Sequence, residues 1–137
     1  MQTIAYLEQL TAAGLIGFWL LFFTIGLAPD QPPPGYFAFE HAFPAPDCLL
    51  AVVLFLSGRL LLRTNPVLLH HGRSLGMVAA GALLFLGGLD ISFNVQNGMY
   101  GLSVLDTLMT LAINLWCLGF GSVLAISCGQ TGPTGRT

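Results

Sequence analysis

Residues 74–97 read SLGMVAAGALLFLGGLDISFNVQN, an apolar segment in which Asp90 is the single charged residue. A hydrocarbon core about 30 Å thick is crossed by roughly 20 residues of α-helix, so this segment is long enough to span a membrane. One helical face runs through it at alternating spacings of four and three residues. That face consists of Gly76, Ala80, Leu83, Gly87, Asp90, Asn94 and Asn97. The segment therefore predicts a membrane helix with small residues in its first half and polar residues in its second half.

Three further apolar runs accompany this one. We predict spans at about residues 9–28, 46–65, 74–97 and 102–129, with one long loop at 29–45. The consecutive prolines at the start of that loop cannot continue the first helix, because proline lacks a backbone donor. Pro46 and Asp47 are typical of a first helical turn, and Gly98 is typical of a helix end. Residues 1–137 are thus predicted to form a single domain, an all-α integral membrane protein folded as an antiparallel bundle of four transmembrane helices.

The composition excludes several classes of protein. The chain has 137 residues, of which 55% are hydrophobic and 7% charged, whereas soluble domains carry roughly 25% charged residues. Its four basic residues and formal net charge of -2 leave no basic surface for a nucleic acid, so the expected surrounding is a lipid bilayer. Cys48, Cys117 and Cys128 are isolated in sequence, without the spacing of a zinc or redox site. We therefore expect neither a metal nor a cofactor.

Basic residues cluster in the predicted loop between the second and third spans. Arg63 and Arg73 bracket this loop, which also contains His70 and His71, and Arg136 lies in the C-terminal tail. The other two loops contain no basic residue other than histidine. Basic residues near span ends stay in the cytoplasm, and an even number of spans returns the chain to its starting side. Both termini are therefore predicted to be cytoplasmic, and the loop at 29–45 is predicted to lie outside.

With this orientation, five of the six acidic residues fall at the outer end, and Glu8 is the one cytoplasmic acid. Ionisable residues inside a span persist mainly where they face the bundle interior or a wet cavity. We therefore expect Asp90 to face inwards, opposite a polar face of the last span that consists of Asp106, Thr110, Asn114, Cys117 and Gly121. The result would be an outer vestibule lined by acids and amides. The candidate ligand-binding residues are Asp90, Asn94, Asn97, Asp106 and Asn114, with Glu40 and Asp47 at the rim.

The loop at 29–45 is rich in aromatic residues. Tyr36, Phe39 and Phe43 fall on one side of a short helix, while Phe37 and Glu40 are turned differently. This pattern predicts either an interfacial segment that covers the vestibule as a lid or an aromatic anchor at the lipid headgroups. The sequence leaves these two interpretations open.

Several functions are compatible with the acid and amide cluster. It could be an interhelical hydrogen-bond network that only stabilises the bundle. A divalent metal site of Glu40, His41, Asp47 and Asp90 is chemically feasible but has no diagnostic spacing. No nucleophile and base pair or phosphate loop occurs, so we do not expect an enzyme. The first hypothesis is that the vestibule binds a small amphipathic, polar or cationic ligand, in a monomer or a homo-oligomer. The alternative is an accessory or scaffold subunit, without catalytic activity, of a larger membrane complex.

Overall fold

A computed structural model describes residues 1–29 and 31–130, and this part of the chain contains helices and no strand. The helices are α1 (Gln2–Thr24), α2 (Tyr36–Glu40), α3 (Pro44–Leu61), α4 (Pro66–Gln96) and α5 (Val104–Gly129), with a 3₁₀ helix at Met99–Gly101. Four segments are long and apolar enough to cross a membrane, namely α1, α4, α5 and the stretch Tyr36–Leu61 that includes α2 and α3. The prediction of an all-helical chain with four such helices is confirmed. Asp30 and the predicted cytoplasmic Arg136 lie outside the described residues.

The start of α4 differs from the sequence expectation. The helix begins at Pro66 instead of near residue 74, because the side-chain oxygen of Asn65 accepts hydrogen bonds from the backbone N–H groups of Val67 and Leu68 at 2.9 and 3.3 Å. Proline at the first helical position completes a favourable helix start. His70 and His71, which we expected in a loop, therefore lie on the first turns of α4.

The start of α1 differs as well. This helix begins at Gln2 instead of near residue 9, so Glu8 lies inside the helix and not in an extension before it. At its far end, Gly26 has a φ of 79°, a left-handed conformation that glycine adopts without strain. Gly35, with a φ of 84°, precedes α2 in the same way. The expected loop at 29–45 therefore contains one short helix, and α3 already begins at Pro44.

Three helix pairs pack closely, and they follow the order of the chain: α1 with α3, α3 with α4, and α4 with α5. Glycines allow these close approaches. A Cβ atom added at Gly76 would lie 2.6 Å from Cys128 Sγ on α5, and one added at Gly87 would lie 2.8 Å from Cys117 Cβ. On α3, a Cβ at Gly58 would lie 2.7 Å from the Ala5 carbonyl oxygen. Close contact through small residues is how helices associate in lipid, where apolar burial gives little driving force.

The distribution of apolar side chains fits a lipid environment. Leu54, Leu83 and Leu124 are fully buried between the helices. Large apolar side chains such as Phe55 and Phe85 are nevertheless exposed along the outer faces of α3 and α4. Soluble monomers rarely expose contiguous apolar surfaces of this extent. The outside of the helices is therefore suited to contact hydrocarbon.

Candidate functional site

A cavity of about 560 Å³ lies among the four long helices. Its volume is within the range of about 300–1,000 Å³ that is typical of small-molecule sites. Apolar side chains form most of its wall, and polar groups are few. The polar lining residues include Thr11, Glu40, Asp47, Asp90, Asn94, Asp106, Thr110 and Asn114.

Four carboxylates on four different helices line this cavity. Glu40 comes from α2, Asp47 from α3, Asp90 from α4 and Asp106 from α5. Glu40, Asp47 and Asp90 are close enough to one another to interact electrostatically. Among the described residues, those that line the cavity include no lysine, arginine or histidine. The four carboxyl groups thus have no basic counterpart among the described residues that line the cavity.

Each of three carboxylates is held by a hydrogen bond from a nearby side chain. The indole Nε1 of Trp19 donates to Asp47 Oδ2 at 2.8 Å, which fixes α1 against the first turn of α3. Asn94 Nδ2 donates to Asp90 Oδ2 at 3.0 Å, one turn further along α4. Ser103 Oγ donates to Asp106 Oδ2 at 2.6 Å at the start of α5. These bonds hold each carboxylate in position and leave further lone pairs free to accept hydrogen bonds.

Asn114 is the most deeply buried polar residue of the cavity wall, with 2% of its surface exposed. Its Nδ2 donates to the hydroxyl oxygen of Tyr100 at 2.9 Å. Its Oδ1 is buried and accepts no hydrogen bond from the described residues. A buried acceptor without a partner costs about 1–3 kcal/mol.

Six of the seven candidate residues are therefore brought together around one cavity, and Asn97 is not among the residues that line it. The Asn97 amide instead donates to the Phe93 carbonyl oxygen at 2.9 Å, where it satisfies an acceptor at the C-terminal end of α4. The helical spacing that connects Asn97 to Asp90 and Asn94 ends with the helix at Gln96. Asn97 therefore has a role in helix termination.

Aromatic rings form the wall nearest to Asp47. Trp19 contacts Phe18 and Phe22, with ring centroids 5.1 and 5.2 Å apart, and all three rings line the cavity. Tyr36 of α2 is buried and lines the same space. The faces of aromatic rings attract cations. The cavity thus combines carboxylates with aromatic surface.

The short helix α2 is seated on the end of α4. Phe39 stacks on Phe93 with ring centroids 3.9 Å apart and an angle of 6° between the ring planes. On the opposite side of α2, His41 is exposed and packs near Phe23, with centroids 5.8 Å apart. Of the two interpretations left open for this segment, the position of Tyr36 and Glu40 in the cavity wall favours a cover over the cavity.

Sequence reasoning missed a second polar cluster, centred on Glu8. This residue was expected to be a cytoplasmic acid before the first span, but it has 0% of its surface exposed. Ser57 Oγ lies 2.6 Å from Glu8 Oε1 and 2.9 Å from the Gly72 carbonyl oxygen, and it can donate to either. The sequence signal was present, since Ala5, Glu8 and Ala12 share a helical face at spacings of three and four residues. The polar neighbours Gln2, Thr3 and Gln9 obscured it.

The residues described by the structure include no group of three or more His, Cys, Asp or Glu side chains that could hold a metal ion. Cys48, Cys117 and Cys128 are free thiols and do not form disulfides. Comparisons of the chain with protein-family models, with curated proteins and with solved structures find no match.

Proposed function

We propose that this protein is a multi-pass membrane protein with four antiparallel spans, with both termini in the cytoplasm and the cavity towards the outer side. Two hydrogen bonds support the antiparallel order. Glu8, early in α1, meets Ser57 late in α3, and Trp19, late in α1, meets Asp47 early in α3. Arg63 and Arg73 belong to the end of the molecule that carries Glu8, which the distribution of basic residues assigns to the cytoplasm.

We propose that the cavity binds a small amphipathic molecule that carries a cationic or strongly polar group. The observation that carries this proposal is the convergence of four carboxylates on one cavity, for which residues 1–29 and 31–130 supply no basic lining side chain. A charged carboxylate is costly in a low-dielectric site without a counter-charge, so a cation is the favoured occupant. The aromatic wall around Trp19 accommodates the apolar part of the ligand and faces its charge.

The alternative, an accessory or scaffold subunit, requires a polar face directed towards a partner protein. Asp90 and Asn94 line a cavity among the chain's own helices instead. Asn94 is buried, which leaves little of its amide for contact with a second protein. The inward placement of these two residues supports the ligand-binding proposal over the accessory role.

The proposal is tested with a cation and its neutral isostere. Benzyltrimethylammonium and neopentylbenzene have nearly the same shape, but only the first is charged. The purified protein in lipid nanodiscs is titrated with each compound, and Trp fluorescence reports binding, because both tryptophans of the chain line the cavity. We expect at least about tenfold tighter binding of the cation, equivalent to about 1.4 kcal/mol. Equal affinities for the two compounds would overturn the proposal.

The matched variants are Asp90→Asn and Glu8→Gln, which remove a partly buried carboxyl group from α4 and a fully buried one from α1. Asp90 lines the cavity and Glu8 does not. We expect Asp90→Asn to reduce the preference for the cation and Glu8→Gln to preserve it. A similar loss in both variants would show a nonspecific effect of lost acidity and would contradict the assignment of the carboxylates to ligand binding.

A further inference from the structure

The cavity has one wall that the helices do not close. The four long helices pack against one another in chain order: α1 with α3, α3 with α4, and α4 with α5. The remaining side of the cavity lies between α1 and α5. They are not among the closely packed pairs. The hydrogen bonds of the described residues join α1 to α5 at a single place, where Trp116 Nε1 donates to Thr11 Oγ1 at 3.1 Å. Because α1 and α5 do not pack closely and one hydrogen bond joins them, we describe the space between them as a gap.

The residues along this gap belong to the cavity and to the outer surface at once. Leu10 of α1 lines the cavity, yet 63% of its surface is exposed. Met109 and Trp116 of α5 also line the cavity and are 37% and 42% exposed. A Cβ atom added at Gly14 would meet no atom within 4 Å, so the space beside this residue is empty. The cavity therefore continues through the gap to the apolar exterior of the bundle.

The two ends of this continuous space differ in chemistry. Glu40, Asp47 and Asp90 place three carboxyl groups within the cavity. The gap itself is bordered by apolar groups, such as Leu10, Met109 and Ile113. In a bilayer, an apolar opening between two spans faces acyl chains and not water. The arrangement matches a molecule with a cationic head and a hydrocarbon chain.

We infer that the gap between α1 and α5 is a membrane-facing entrance, and that the ligand is a single-chain cationic amphiphile. Its head lies among the carboxylates, and its chain lies in the gap. This inference rests on the proposed function, because it assumes that the carboxylates bind a cation. It adds the route of entry and the class of ligand. The hydrocarbon chain of the ligand takes the place of a lipid acyl chain in the gap. Its cationic head interacts with the carboxyl groups of the cavity, which are complementary to it in charge.

The test uses decyltrimethylammonium with a bromine at the end of its chain, added to the protein in nanodiscs. Bromine quenches tryptophan fluorescence at short range. Trp116 lies beside the gap, and Trp19 lies beside Asp47. We expect saturable quenching in the wild type that benzyltrimethylammonium displaces, because both compounds occupy the carboxylates. In Trp116→Phe, we expect the saturable quenching to fall several-fold while the emission of Trp19 persists.

Two glycine-to-phenylalanine variants of α1 test the gap: one is expected to block it, and the other is expected to leave it open. Gly14 lines the cavity, whereas Gly17, on the same helix, does not, and neither would place a new Cβ within 4 Å of another atom. We expect Gly14→Phe to weaken saturable binding of the bromodecyl compound about tenfold, equivalent to about 1.4 kcal/mol. Binding of benzyltrimethylammonium in Gly14→Phe should change much less, and Gly17→Phe should resemble the wild type for both compounds.

The outcomes separate the entrance from the cation site. If benzyltrimethylammonium binds but bromine quenching rises linearly without saturation, as for any tryptophan exposed to lipid, the entrance is refuted and the cation site remains. The same conclusion follows if Gly14→Phe and Gly17→Phe bind the bromodecyl compound equally well. If neither compound binds saturably, the proposed function itself fails, and the entrance fails with it.

Discussion

Gly76 lies where all four long helices approach one another, and replacing it with alanine tests that packing. The added Cβ would lie 2.6 Å from Cys128 Sγ, 3.2 Å from Ser57 Oγ and 3.4 Å from Glu8 Oε1. Cys128, Ser57 and Glu8 are all buried, so no side chain in this contact can move into open space. Overpacking of this kind costs about 1–3 kcal/mol. The higher helix propensity of alanine offsets up to about 1 kcal/mol of this loss in stability.

We therefore expect Gly76→Ala to lower the free energy of unfolding by up to about 2 kcal/mol. Gly81→Ala is the control on the same helix, because its new Cβ would meet nothing within 4 Å. That substitution should stabilise the protein slightly through helix propensity alone. Reversible unfolding in mixed micelles, followed by circular dichroism, measures both variants.

The double variant Gly76→Ala/Cys128→Ala identifies the clash. Removing Sγ takes away the closest contact. In the Cys128→Ala background, Gly76→Ala should therefore lower the free energy of unfolding by less than half as much as it does in the wild type. A coupling energy near zero in this cycle would refute the reasoning. Equal stability of Gly76→Ala and Gly81→Ala would refute it too, because it would mean that α4 and α5 are not this close.

Three further predictions concern the polar contacts and the topology. Trp19→Phe removes the donor to the buried Asp47 and should lower the free energy of unfolding by about 1–3 kcal/mol, whereas Phe23→Leu, at an exposed position, should change it by less than about 0.5 kcal/mol. Ser57→Ala leaves Glu8 without its donor and should cost about 1–3 kcal/mol, measured against Ser122→Ala, an exposed serine that bonds only to its own helix. Cysteines introduced at Pro32 and His70, with the native cysteines replaced by alanine, should react with an impermeant maleimide from opposite sides of the membrane; reaction from the same side would contradict the proposed orientation.

The inward position of the cavity residues on α4 and α5 could be predicted from sequence, because helical spacing assigns each polar residue to a face. Asp90 and Asn94 recur at a spacing of four on the face that carries Gly76 and Gly87. Small residues mark the side on which another helix approaches. Asp106 and Asn114 follow the same rule on α5. For these residues, local periodicity carries the information that the fold uses.

Other features depend on contacts between distant segments, which periodicity does not contain. Glu8 is buried because Ser57 of α3 donates to it and because Gly76 leaves room beside it. Hydropathy placed the start of the first span after Glu8, since the preceding residues are too polar to resemble a membrane helix. The gap between α1 and α5 likewise follows from which helices pack together. Periodicity also does not show where a helix ends: Asn97 continues the spacing of Asp90 and Asn94, but α4 ends one residue before it, at Gln96.

The most direct measurement of cation binding in the cavity is the proximity of a bound cation to Trp19. Nuclear Overhauser effects from the N-methyl protons of benzyltrimethylammonium identify the rings that they approach in the nanodisc-embedded protein. We predict cross-peaks to the indole of Trp19, whose Nε1 donates to Asp47 Oδ2 at 2.8 Å. These cross-peaks should be lost in Asp90→Asn. Cross-peaks to outward-facing rings such as Phe55 and Phe85, with none to Trp19, would contradict binding in the cavity.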